Sequence, residues 1–339
     1  MVIHNPYRHA LGNTPKRAIR GLCDDDKMLL QRSISKTINY GILGAGHLGN
    51  YHAQQLRQIP GVNLVGVFDI NSDNSKKLSL QNNIPAFPSA KELLASCDAV
   101  SVATPASNHY ETASLALENN CNVFIEKPFT KNVEEAAKLI DLKNLKNLKI
   151  QVGHIERFNP AFVAFKKTNP SPLFVESHRL CSYNQRGLDV DVILDLMIHD
   201  IDLILFLIKS KIKEIHAFGE AILTDSIDIA NARIVFQGGQ TANLTASRIS
   251  LKQMRQMRVF QKKSYNVIDF KAPALNAWFI NKQGLLKNNG FRVAPSNALF
   301  EELSSFIVSI QQDAPEIMGA EEAFAALGVA SKIQEKIEK

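Results

Sequence analysis

The chain has 339 residues, 39 Lys and Arg against 33 Asp and Glu, a formal net charge of +6 and 45% hydrophobic residues. This length suits two domains better than one, and the composition is that of an ordinary soluble protein. No run approaches the roughly 18 apolar residues that a membrane span requires. The basic excess is concentrated, since residues 1–37 carry seven Lys/Arg against three Asp, so the nearly neutral remainder argues against a nucleic-acid partner.

Residues 1–36 have no sustained period, contain Pro6, Gly12, Pro15 and Gly21, and read as a flexible extension, with Met28 a plausible true start. Asp24, Asp25 and Asp26 speak against a transit peptide, and without an apolar signal core near Met1 the expected location is the cytoplasm. Cys23, Cys97, Cys121 and Cys181 form no C-x-x-C pair, which predicts reduced thiols and no zinc knuckle.

From Ile38 to Gly153, apolar runs at 38–43, 63–69, 99–103, 122–125 and 149–152 alternate with helical periods near 50–59, 73–81, 89–95, 108–119 and 132–142. That alternation predicts a doubly wound parallel sheet over residues 37–153. The first run passes into Gly44-x-Gly46-x-x-Gly49, with His47 and Leu48 between the last two glycines. The pattern suits a tight turn, a close backbone approach to pyrophosphate and a helix packed near its strand. Asp69 stands about 20 residues beyond Gly49 at the end of the second strand, where a carboxylate pairs with ribose hydroxyls and repels a 2′-phosphate. Ile70, Asn71 and Ser72 offer no arginine, so NAD is favoured over NADP; the bland alternative makes Asp69 a helix cap.

Thr104 and Pro105, followed by Asn108 and His109, stand at the carboxyl end of the third strand, where a ligand crevice is expected. The competing reading has Asn108 capping a helix with His109 in its first turn. The fourth strand runs into Glu126-Lys127-Pro128, which sets a lysine beside the expected nicotinamide; otherwise Lys127 is a surface lysine.

After Gly153 the texture changes. A helical run from Val190 to Ile208 precedes alternating strands at 214–221, 229–236, 240–249, 256–262 and 265–271, with Gly238-Gly239 as a hairpin turn. Helices at 297–312 and 319–337 close an α+β region, residues 154–339, built on a large and mostly antiparallel sheet, and the last helix is expected near the first domain. The helix 190–208 is apolar nearly all round, so its polar residues need partners. Asp195, His199 and Asp202 stand at i, i+4 and i+7, where a carboxylate can orient an imidazole. A satisfied core histidine and a metal site compete with this reading, the second without another His or Cys nearby.

Gly44-Ala-Gly-His-Leu-Gly49, Thr104-Pro105 with His109, Glu126-Lys127-Pro128, Val152-Gly-His154 leading to Arg157-Phe158, and Asp195-x-x-x-His199 together resemble the Gfo/Idh/MocA family of sugar dehydrogenases. The resemblance runs from about Ile38 to the carboxyl terminus. It implies reversible oxidation of a sugar hydroxyl with NAD. His199 or Lys127 would remove the proton, Asp195 would orient His199, Glu126 would contact the nicotinamide ribose, and no metal would take part. The wording around Arg157 and from Arg186 to Asp202 resembles the UDP-N-acetylglucosamine 3-dehydrogenase branch, which serves lipid A synthesis. A nucleotide sugar carries a diphosphate, for which Arg157, Arg179 and Arg186 are the candidates, with Asp202 beside them. A free sugar or inositol is the alternative substrate, and a non-catalytic NAD-binding redox sensor the alternative class. Asn231, Arg233, Asn243, Thr245 and Ser247 predict a sheet face that pairs with another subunit, in a homodimer or homotetramer.

Overall fold

The computed structural model describes residues 36–184, 190–293 and 295–337, so all of the amino-terminal extension but Lys36 lies outside the described residues. β1 (Ile38–Leu43), β2 (Val62–Phe68), β3 (Ala99–Val102), β4 (Asn122–Ile125) and β5 (Ile150–Val152) form a parallel sheet in the order β2-β1-β3-β4-β5. Its central strands are buried on both faces, which is why they read as continuous apolar runs. The connecting helices are α1 (His47–Leu56), α2 (Ser72–Asn82), α3 (Ala90–Leu94), α4 (His109–Glu118) and α5 (Val133–Lys146). α5 starts where the Asn132 side chain accepts from Glu135 N–H, carries Lys143 and Lys146 in its last turn, and stops at left-handed Asn147. Because β2 and β3 flank β1 on opposite sides, a crevice opens beyond the carboxyl ends of β1 and β3.

The second sheet contains β6 (Phe174–Leu180), β7 (Ile212–Glu220), β8 (Ile229–Phe236), β9 (Thr241–Ser247), β10 (Met254–Gln261), β11 (Ser264–Asp269), β12 (Ala274–Ile280) and β13 (Leu286–Arg292). Their order is β13-β12-β11-β10-β6-β9-β8-β7, antiparallel throughout except for β6 against β9. α6 (Pro160–Lys166) packs on β11 and β12, and α7 (Ile198–Leu207) packs on β9. The run expected as one helix over 190–208 instead contains a π turn, Ile193–Met197, ahead of α7. β6 escaped the periodic reading because its inward residues, Val175, Ser177 and Arg179, include two polar ones.

α8 (Ala298–Gln311) returns to the first sheet, where Leu303, Phe306 and Ile307 join Ile38, Tyr40, Ile42, Ala53 and Leu56 in one buried cluster. Each such Leu, Ile or Phe contributes roughly 1.5–3 kcal/mol of burial. α9 (Ala320–Ile337) packs against β7, α7 and α5, so the two sheets are bound together by the carboxyl-terminal helices. Among the described residues no helix is long and apolar enough to cross a membrane.

Candidate active site

β1 ends at a turn that only glycine fits. Gly44 has φ +101°, and a Cβ there would lie 2.6 Å from Ala103 O. A Cβ on Gly49 would collide with the Gly44 carbonyl, whereas one on Gly46 would have nothing within 4 Å. That open side, next to the uncapped first turn of α1 with no acidic residue, suits an approaching anion. Leu48 is exposed there, and the His47 ring lies 4.4 Å from that of Tyr51. Asp69 follows β2 and accepts from Ala45 N–H at 2.7 Å and Asn71 N–H at 2.8 Å, which fixes its carboxylate beside the glycine turn. Capping of α2 falls to Asn71, which accepts from Asp73 N–H. These residues fit a dinucleotide with a free ribose diol.

At the next strand end, His109 is buried and bridges two loops, with Nε2 3.0 Å from Thr104 O and Nδ1 2.7 Å from Pro128 O. Pro105 lies in the loop between them, and the Asn108 side chain does not cap α4. The Lys127–Pro128 bond is cis. Glu126 follows β4; burial raises its pKa, but the hydrogen bond from His52 and the nearby charges of Lys127 and His109 pull it below the usual carboxylate range.

Lys127 Nζ donates to Asp195 Oδ1 at 2.7 Å and to Asp195 O at 2.9 Å, joining the end of the parallel sheet to the second half of the chain. This corrects the expected pairing of Asp195 with His199. The i, i+4 rule assumes α geometry, but Asp195 sits within the π turn, whose wider i→i+5 winding displaces it. His199 Nδ1 has no hydrogen-bond partner, and the ring stands 6.1 Å from that of His154, edge to face. Burial, then the charges of Arg179 and Lys127, hold His199 well below the ordinary histidine range. The ring is therefore neutral near pH 7, with one nitrogen free to accept a proton.

Two predicted substrate arginines are also corrected. Arg157 is buried and spent on Asp202, with Nη2 2.6 Å from Oδ1 and Nε 2.8 Å from Oδ2, while Nη1 donates to Ile317 O. Arg179 is likewise buried between Asp200 and Glu156, 3.0 and 2.6 Å away. Both are structural cations, and Asp202 is committed to Arg157. Arg186 lies outside the described residues. Sequence reasoning passed over Arg255, which stands directly opposite Arg179 in the β10–β6 ladder and is exposed. It also passed over His52, whose place among Gly49, Ala53 and Leu56 on the buried stripe of α1 marks a polar residue facing the sheet. Among the described residues no group of three or more His, Cys, Asp or Glu is arranged to hold a metal.

Residues 38–154 match the family model described as an oxidoreductase family with an NAD-binding Rossmann fold, and residues 165–264 match the GFO/IDH/MocA C-terminal domain. A UDP-N-acetylglucosamine 3-dehydrogenase of Acidithiobacillus ferrooxidans is 36% identical over 281 residues, 81% of this chain and 89% of the relative. A solved structure of that enzyme superposes with a TM-score of 0.85 at 34% identity, covering 89% of this chain and 98% of its own. An inositol 2-dehydrogenase of Rubrobacter xylanophilus is 28% identical over 198 residues, 56% of this chain and 57% of the relative. An Agrobacterium radiobacter oxidoreductase in complex with NAD+, L-tartaric acid and magnesium shares the fold, with a TM-score of 0.81 at 13% identity over 90% of this chain and 97% of its own. Since family models cover both halves and the dehydrogenase match extends over most of the length, the chain belongs to the Gfo/Idh/MocA family and is an NAD-dependent oxidoreductase.

Proposed function

We propose that the protein oxidises the C3 hydroxyl of UDP-N-acetylglucosamine, giving a 3-keto sugar nucleotide, NADH and a proton. The observation that carries this reading is the meeting of Lys127, from the end of β4, with Asp195 and the neutral His199 at the head of α7. NAD, when bound, supplies the hydride acceptor. Lys127 spends two of its ammonium N–H groups on Asp195 and keeps the third for the substrate oxygen. His199, neutral and therefore with one ring nitrogen that carries no hydrogen, takes the hydroxyl proton, and the Lys127 charge steadies the alkoxide as it forms. Glu126 meets the nicotinamide ribose, and Gly44, Gly46, Gly49 and Asp69 hold the pyrophosphate and adenosine end.

With Arg157 and Arg179 spent internally, we assign the substrate diphosphate to Arg255. It is exposed, has no carboxylate partner among the described residues, and is close enough to act on His199. In this reading residues 37–153 carry the cofactor, while residues 154–339 carry the substrate and the subunit contacts. The 3-keto product is the substrate class an aminotransferase would consume on the way to the diamino sugar of lipid A, in the cytoplasm.

The uncovered face of the second sheet suits a second copy of the chain. The rings of Phe174, Phe260, Tyr265 and Trp278 form one row across it, flanked by Asn231, Arg233, Asn243 and Thr245. Ser247, expected on that face, is buried. Light scattering at micromolar protein concentration should report a dimer or tetramer; a monomer alone removes this part of the reading.

The main test mixes purified protein with NAD and UDP-N-acetylglucosamine and follows NADH absorbance, with a ketone trap because alcohol oxidation by NAD runs uphill. Parallel reactions contain myo-inositol, glucose or NADP. NADH formed only with the nucleotide sugar, and abolished by Lys127→Met and His199→Asn, supports the reading. Turnover of free polyols alone would transfer the substrate to the inositol class. No turnover with NAD still bound would favour a redox sensor.

A further inference from the structure

Four polar side chains, of which the mechanism above uses only Glu126, together cross the interior of the first sheet. Tyr40 from β1, Ser101 from β3 and His52 from α1 are all 0% exposed, and Glu126 after β4 closes the series. Tyr40 OH lies 3.0 Å from Ser101 Oγ, which lies 2.8 Å from His52 Nδ1, and His52 Nε2 lies 2.9 Å from Glu126 Oε1. Apolar residues would fill this layer at less cost, because each buried polar group must be matched.

The donors run in one direction. A phenol buried among apolar rings satisfies its hydrogen only by donating to Ser101. Ser101 then donates to His52 Nδ1, and Nε2–H is left for the Glu126 carboxylate. Reversing the sequence would leave the Tyr40 hydrogen against Phe306, whose ring is 6.4 Å away and edge-on. The His52 ring is further fixed by Phe124, 5.3 Å away. The chain therefore ends in a single oriented N–H aimed at one carboxylate oxygen. It also ties α1, whose first turn meets the pyrophosphate, to the strand end that meets the distal ribose.

We propose that His52 is a positioning residue for cofactor binding: backed by Ser101 and Tyr40, it holds the Glu126 carboxylate in the orientation that receives the nicotinamide ribose. The inference rests on the reading that Glu126 meets this ribose. Its consequence is selective by cofactor fragment. ADP contains the adenosine and the pyrophosphate, ADP-ribose adds the distal ribose, and NAD adds the nicotinamide.

The experiment is calorimetric titration of the full chain with NAD, ADP-ribose and ADP, comparing wild type with His52→Ala, His52→Gln, Ser101→Ala and Glu126→Gln. His52→Ala should weaken NAD and ADP-ribose by about tenfold, the scale of one hydrogen bond to a charged group, and leave ADP unchanged. His52→Gln, which retains an N–H donor, should recover part of the loss, and Ser101→Ala should show a smaller loss of the same pattern. Equal weakening of all three ligands would mean that His52 only holds α1 in place, and would overturn the proposal. So would unchanged binding of all three by a folded His52→Ala protein. If Glu126→Gln leaves ADP-ribose binding unchanged, the ribose assignment of Glu126 is wrong, a failure that stands apart from any behaviour of His52.

Discussion

Arg157 and Asp202 look like substrate groups in the sequence and like a structural pair in the fold, and a double-mutant cycle separates the two. Their fractional exposures are 7% and 1%, and three hydrogen bonds of 2.6 to 3.1 Å link them. Arg157→Met would leave a buried carboxylate with only the His154 ring nearby, its Nδ1 4.0 Å away, and burial lowers the pKa of that ring and so disfavours its charged form. Loss of one partner of such a pair costs about 3–5 kcal/mol, because the remaining charge is stranded. The lost donation to Ile317 O adds about 1 kcal/mol. Arg157→Met with Asp202→Leu removes both charges, and should regain most of the loss. Urea unfolding followed by circular dichroism reads these stabilities, and KM for the sugar nucleotide is measured on the folded double variant. That KM should stay within about twofold of wild type, since no substrate contact is removed. In contrast, Arg255→Ala should raise KM about tenfold, the scale of one charge-assisted hydrogen bond, with an unchanged urea midpoint. A double variant as unstable as the single one, or one whose KM rises tenfold while Arg255→Ala has no effect, would refute the assignment.

Gly46→Ala should fold normally yet bind NAD at least about tenfold more weakly, as its new methyl group occupies the side left open for the ligand; Gly49→Ala should lose stability in thermal melts through its clash with the Gly44 carbonyl. Glu302 is buried in α8, and burial followed by the charges of Glu126, Asp202 and Glu156 holds its pKa well above the usual range. Above the unfolded value of about 4.3 the native state therefore holds the proton that the unfolded chain releases, and stability falls by about 1.4 kcal/mol per pH unit until the folded pKa is passed. Glu302→Gln should abolish that slope, giving a melting temperature above wild type at pH 8 and equal to it at pH 4. Asp69→Ser should weaken NAD and narrow its preference over NADP, measured as the ratio of the two kcat/KM values, because the carboxylate set by Ala45 and Asn71 no longer meets the ribose diol.

The parallel sheet was legible because its signals are local. A central strand buried on both faces is an apolar run, and the glycines at 44, 46 and 49 answer steric needs within one turn. The antiparallel sheet was legible where alternation is strict, as in β8 with Ala230, Ala232, Ile234 and Phe236 inward. β6 was lost because its inward face carries Ser177 and Arg179, and no sequence period shows that Asp200 and Glu156 will meet that arginine. Lys127, Asp195 and His199 were visible as residue types at suggestive spacings. Their pairing was not, because a π turn changes which residues share a face and because the Asp195 partner lies 68 positions away in sequence.

The buried arginines explain why that distant contact is dependable. Arg157 and Glu156 occupy the 3-10 turn after β5, Asp200 and Asp202 lie in α7, and Arg179 projects inward from β6. The Arg157–Asp202 pair ties the turn to the helix; Arg179 joins turn, helix and strand in one cluster. Since the turn leaves the same sheet whose β4 delivers Lys127, these bonds set the height and rotation of α7 against the cofactor half. Asp195, held by the π turn at the head of α7, thereby reaches the Lys127 ammonium without belonging to the same domain. Arginine suits the task better than lysine, because its planar fork fixes direction as well as distance. Charges that sequence alone assigns to the substrate instead join the two halves of the chain on either side of the proposed catalytic site.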